Sequence, residues 1–149
     1  MTKDALKFFQ NYVLEMIDIG GANLPKSISS SLGAKLGKVY KKRGITGIEQ
    51  CLVQSYKVLN ASSNIQKIDE KTLKIKLKYK KKFCPIGGNY NPEKAEVVHR
   101  SVCIPYTLGL LTEINPNFKY IGEILECNLK SNRGICEYTL KLEEKEDKD

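Results

Sequence analysis

Tryptophan is absent from this 149-residue chain, histidine occurs once, and arginine supplies only three of its 25 basic residues. The last two shortages each close off a class of function. With His99 alone, a centre built on several histidines cannot form. A histidine-assisted nucleophile would have to pair His99 with Cys103, and no orienting carboxylate stands out in the sequence. His99 reads better as a strand residue or a local hydrogen-bonding partner. With arginine confined to Arg43, Arg100 and Arg133, the net charge of +8 lacks the guanidinium forks that grip phosphates and guanine edges. No run approaches the roughly 20 apolar residues of a membrane span. The opening Met1-Thr2-Lys3-Asp4 leads into an amphipathic pattern rather than an apolar leader, so a cytoplasmic location is expected. No phosphate-binding loop, dinucleotide-type glycine fingerprint or nucleophile elbow occurs. No catalytic or cofactor-binding residue is assigned, and the chain is not expected to be an enzyme.

What is present is ordinary for one globular domain: 41% apolar and 28% charged residues at a length that buries its own core. Leu6, Phe9, Val13, Met16 and Ile17 recur at helical spacing and Gly20-Gly21 stops them, which predicts a helix over 4–19. A second helix starts near Pro25 and carries Ile28, Leu32, Leu36, Val39 and Tyr40 on one face. Gly33 and Gly37, one turn apart, are read as sites of close helix packing rather than ligand approach. A third helix covers 46–60. The period then changes to two. Strands are predicted at 64–69 and 72–81, with the Lys74, Lys76, Lys78 and Lys80 alternation as a solvated strand face rather than a nucleic-acid patch. Glu96 to Val102 fits a strand or the lead into a helix, Pro105 opens a helix over 105–114, and two closing strands are placed at 119–129 and 135–142. Helices followed by hairpins make this α+β: N-terminal helices on a mainly antiparallel sheet of about four strands, with a further helix between the two hairpins. Residues 1–142 form one domain, and the charged tail 143–149 is expected to be disordered.

Five cysteines in a chain without an export signal are not expected to form disulfides. Cys51 sits among apolar residues at helical spacing and reads as an inert core thiol. Cys127 and Cys136 lie nine residues apart on the closing hairpin, where cross-strand Cβ atoms are about 5 Å apart. Two thiolates so held suit zinc. Glu123, four residues before Cys127, would share its face on an unbulged strand. Cys84, followed by Pro85-Ile86-Gly87-Gly88, could wrap a loop around the same ion. From spacing alone, buried hydrophobe and metal ligand are equally good readings.

Three segments carry a resemblance: Cys103-Ile104-Pro105-Tyr106-Thr107-Leu108-Gly109-Leu110-Leu111, Ile121-Gly122-Glu123-Ile124-Leu125-Glu126-Cys127 and Gly134-Ile135-Cys136-Glu137-Tyr138-Thr139-Leu140, together with the small-residue helix Leu32 to Tyr40. They resemble the 4-vinyl-reductase-type, hydrocarbon-binding domain. The resemblance implies a small-molecule-binding module on a fold shared with small subunits of the vesicle-tethering TRAPP complex, which pair and enclose an acyl chain. In the phenol-sensing members three cysteines and a glutamate hold zinc, and the cysteines match Cys103, Cys127 and Cys136. The glutamate slot here holds Ile124, flanked by Glu123 and Glu126, and the interval from Cys127 to Cys136 is one residue longer. Cys84 is therefore the expected fourth ligand, with Glu123 the alternative.

The expected function is a small-molecule binding or sensing module for a hydrocarbon-like, aromatic or lipid ligand, with a structural zinc site. The alternatives are a homodimeric interaction protein or a non-catalytic accessory subunit of a reductase. Phe9, Val13, Leu36, Tyr40, Leu108 and Leu111 are expected to converge on one core or pocket. The expected partners are a small apolar ligand and a second copy of the chain, with neither nucleic acid nor a membrane span.

Overall fold

The structure, a computed structural model, describes residues 3–80 and 84–145. Helices α1 (Lys3–Gly20), α2 (Asn23–Lys42) and α3 (Ile48–Val58) precede strands β1 (Ala61–Asp69) and β2 (Thr72–Tyr79). Helix α4 (Pro92–Val98), a π-helical turn (His99–Cys103) and α5 (Ile104–Ile114) follow, then β3 (Phe118–Glu126), a single helical turn α6 (Asn128–Ser131) and β4 (Ile135–Glu144). The four strands form one antiparallel sheet in the order β1-β2-β4-β3. This is the expected α+β arrangement.

The period-two pattern of β2 decides which face of the sheet is wet. Leu73, Ile75 and Leu77 point inward beside Leu140, Tyr138 and Cys136 of β4, while Lys74, Lys76 and Lys78 point out. Helices α3 and α5 cover the inner face, and Cys51, Leu52, Tyr56, Leu110, Leu111, Ile114, Tyr120 and Leu140 are buried between the layers. Each fully buried leucine in this layer contributes about 2 kcal/mol.

Helix α2 packs along α5, and it does so with its small residues. Pro25, Ser29, Gly33, Gly37 and Tyr40 are buried. A methyl group at Gly33 would overlap the Tyr106 carbonyl, and one at Gly109 would overlap the Ser30 carbonyl. Backbones that meet this closely require glycine, so the packing reading of Gly33 holds. Gly37 sits over the Glu113 side chain in the same contact. The consequence overturns the expected face of α2. Ile28, Leu32 and Val39 point away from the core, and Leu24 extends their row.

Three further differences bear on the site. Of the two readings of Glu96 to Val102, the lead into a helix is the one found, and the helix that reaches Ile114 begins at Pro92 rather than Pro105. Pro105 has no amide N–H, and its ring would clash with the Ser101 carbonyl in a regular turn; the wider π turn just before it accommodates both. His99 therefore sits on a π turn and not on a strand. Strand β3 stops at Glu126, with a register shift between Ile124 and Glu126, so Cys127 lies beyond the strand at the start of α6. Finally, β4 runs to Glu144, so the first two residues of the expected tail pair with β3; residues 146–149 lie outside the described part. No helix among the described residues is long and apolar enough to cross a membrane.

Candidate functional site

Four of the five cysteines gather where α1, the π turn, α6 and the ends of β2 and β4 meet. Cys84 is buried with Ala95, Val98 and Leu129, and Cys103 and Cys127 pack against this second cluster. Cys136 faces inward from β4 at the margin of the main core. Its thiol is hydrogen-bonded to Cys127, which depresses the Cys127 proton affinity and raises that of Cys136. Burial raises Cys84 and Cys103, and the nearby thiols add to both shifts. Burial likewise raises the Tyr79 hydroxyl, with contributions from all four of these cysteines, so the four thiols share one neighbourhood.

The backbone is arranged around sulfur. Cys84 and Gly88 exchange both main-chain hydrogen bonds, at 2.9 and 2.8 Å, closing the Cys84-Pro85-Ile86-Gly87-Gly88 loop into a tight turn. Gly88 takes φ +86°, which glycine adopts freely. Inside that turn the Gly87 amide donates to Cys84 Sγ at 3.3 Å. The Asn128 amide donates to Cys136 Sγ at 3.4 Å, and the Leu129 and Lys130 amides bond Cys127. Amide donors aimed at sulfur favour the thiolate, which is the form that binds metal. As the side chains lie, no group of three or more His, Cys, Asp or Glu among the described residues is drawn close enough to enclose an ion. Of the three sulfurs expected to converge, Cys127 and Cys136 form a hydrogen-bonded pair, and Cys103 lies in the same neighbourhood without closing a three-ligand group with them.

Glu123 is excluded from this group by the pleat. It pairs with Thr139, on the face opposite Tyr138 and Cys136, and it is exposed. The register shift after Ile124 is why a count of four residues back from Cys127 leads to the wrong face. Glu126 is instead taken by Arg133 at 2.9 Å.

Two residues with no sequence signal hold the cluster in place. Gln10 is buried on α1 and its Nε2 donates to the Cys84 and Pro85 carbonyls at 3.2 and 3.1 Å. Buried Asn128 accepts the Gly134 amide on Oδ1 at 2.7 Å, closing the turn into β4.

Of the six residues expected around one core or pocket, Tyr40 and Leu111 are buried in the layer between helices and sheet, and Leu36 and Leu108 pack against it. Val13 is buried on α1 outside that cluster, and Phe9 is 42% exposed. Phe9 is thus corrected to a surface residue. Its row on α1 turns outward because buried Gln10, Val13 and Ile17 occupy the inner face. Cys51 is fully buried in the layer, and burial pushes its thiol up to about 12, which keeps it protonated and inert. Deep between α3 and the sheet, the Tyr56 and Tyr138 hydroxyls hydrogen-bond each other.

No family model matches the chain, and no curated protein matches it. Among solved structures it is similar to a trafficking protein particle complex subunit 3 from Naegleria fowleri, covalently bound to palmitic acid. The TM-score is 0.67 at 11% identity, covering 97% of this chain and 96% of that one. At this identity the likeness shows the fold alone, over the whole length of the chain.

Proposed function

We propose that this chain is a non-catalytic binding subunit that holds an acyl or other hydrocarbon chain and works as a homodimer. The observation that carries the pairing is the inverted α2. Its glycine face is fixed against α5, so the large apolar residues Leu24, Ile28 and Leu32 line the outside, joined on α1 by Tyr12 at 59% and Ile19 at 81% exposure. Ile28 and Leu32 border a surface groove of about 300 Å³. An apolar face of this extent calls for a partner, and a second copy offers the same face in return.

Ligand binding is supported by the whole-length likeness to a palmitate-bound protein and by the apolar layer that Leu36, Leu108 and Leu111 border. The resemblance to hydrocarbon-binding, 4-vinyl-reductase-type domains belongs to the same reading.

A structural zinc ion held by Cys84, Cys103, Cys127 and Cys136 completes it. The amide N–H groups donated to three of these sulfurs fit such a group, since they would stabilise thiolate ligands. Zinc would contribute folding free energy and tie α6, β4 and the Cys84 loop to the π turn. Five cysteines without a disulfide suit a reducing, cytoplasmic setting.

Titrating palmitate into the full chain, followed by calorimetry, tests the ligand. Saturable binding that Leu36→Trp and Leu108→Trp each weaken about tenfold is expected, because both fill the layer. Absence of saturable binding contradicts the ligand assignment.

A further inference from the structure

At the end of β3, between the π turn and α6, a recess of about 320 Å³ opens on the surface. One wall is apolar, formed by Ile124 and by Leu125, which is 52% exposed. His99, Glu126, Cys127, Lys130 and Ser131 complete the lining. Cys127 borders this recess, and Ile124 also packs against the apolar layer, so the recess adjoins both features of the proposed function without being either of them.

Its polar side is incompletely satisfied. Among the described residues, His99 Nδ1 and Ser131 Oγ are buried without a hydrogen-bond partner. Buried polar atoms in folded proteins are nearly always paired, because one left unpaired has lost its water without a replacement. His99 and Ser131 both border the recess, and a ligand seated between them could supply the partner that each atom lacks. Lys130 brings a positive charge to the same place; among the described residues it pairs with no carboxylate, and its charge acts on the neighbouring Cys127 thiol. The π turn is what brings His99 here, and such turns recur at ligand sites.

We infer that this recess binds a monocarboxylate with a short apolar stem. The carboxylate would accept hydrogen bonds from the His99 ring N–H, the Ser131 hydroxyl and the Lys130 ammonium, with the stem on Ile124 and Leu125. The Glu126 carboxylate at the rim, held by Arg133 at 2.9 Å, selects a single negative charge over a phosphate dianion.

The single histidine makes the test direct, because its ring resonances in a proton NMR spectrum of the full chain need no assignment. Octanoate should shift the His99 signals saturably, whereas octanol and inorganic phosphate should leave them in place. Ser131→Ala and Lys130→Met should each weaken octanoate about tenfold. Both are mild changes, so the test does not depend on a His99 variant that folds. Unmoved His99 signals, or phosphate or octanol acting as well as octanoate, would overturn the inference. Octanoate affinity insensitive to Ser131→Ala and Lys130→Met but lost in Leu36→Trp would also overturn it, by assigning octanoate to the layer between helices and sheet.

Discussion

The thiols differ in what surrounds them, and that difference separates their roles. Cys84, Cys127 and Cys136 accept backbone amides, whereas Cys51 is walled by leucine and tyrosine side chains. Cys84→Ser, Cys127→Ser and Cys136→Ser are expected to lower zinc content, measured on protein purified without added metal. Each should cost on the order of 4 kcal/mol of stability, as loss of a structural metal does. Cys51→Ser should leave zinc content unchanged and cost about 1–3 kcal/mol, for a hydroxyl buried without a partner. His99 gives a pH signature. Burial lowers its folded pKa below the ordinary value of 6.5, so the unfolded chain takes up the proton first. Its contribution is fully present above pH 6.5 and is lost as pH falls through the lower folded value. Thermal melts from pH 7.5 downward should show this loss in the native chain and less of it in His99→Gln; parallel curves would contradict it.

At the scale of elements, the contact between α2 and α5 governs the rest. Gly33→Ala or Gly109→Ala should cost about 3 kcal/mol, because each methyl group meets backbone rather than a movable side chain. Gly44→Ala, in open space at φ +81°, should cost less, through backbone strain alone. Chemical denaturation of the three variants measures the difference. The sequence made much of this scale legible. Helical spacing placed α1, α2 and α3, and alternation placed β2 with its lysines outward. What it misread has physical causes. Apolar periodicity ranks Ile28 and Leu32 above glycine, yet backbone approach put the glycine face inside. A π turn blurs a 3.6-residue period, so residues 96–102 fitted a strand as well as the lead into a helix, and the helix itself was placed only from Pro105. The closeness of Cys127 and Cys136 was legible from their spacing. The exclusion of Glu123 was not, since a register shift leaves no mark in composition. Gln10 was invisible because its partners are main-chain carbonyls.

At the scale of the whole molecule, the sheet's outer face is solvated and charged, with Lys74 and Glu137 paired at 3.2 Å, while the apolar surface gathers on α1 and α2. In the proposed reading the two sides meet different surroundings: water on one, a second subunit on the other. Leu32→Glu and Tyr12→Lys should give monomers in sedimentation experiments with little change in melting temperature, since both side chains point away from the core. The central claim, a paired subunit that carries an apolar chain, is tested most directly by native mass spectrometry of the full protein after incubation with palmitate. The account predicts a dimer whose mass includes the fatty acid, reduced to monomer by Leu32→Glu. A monomer that emerges free of ligand would contradict it.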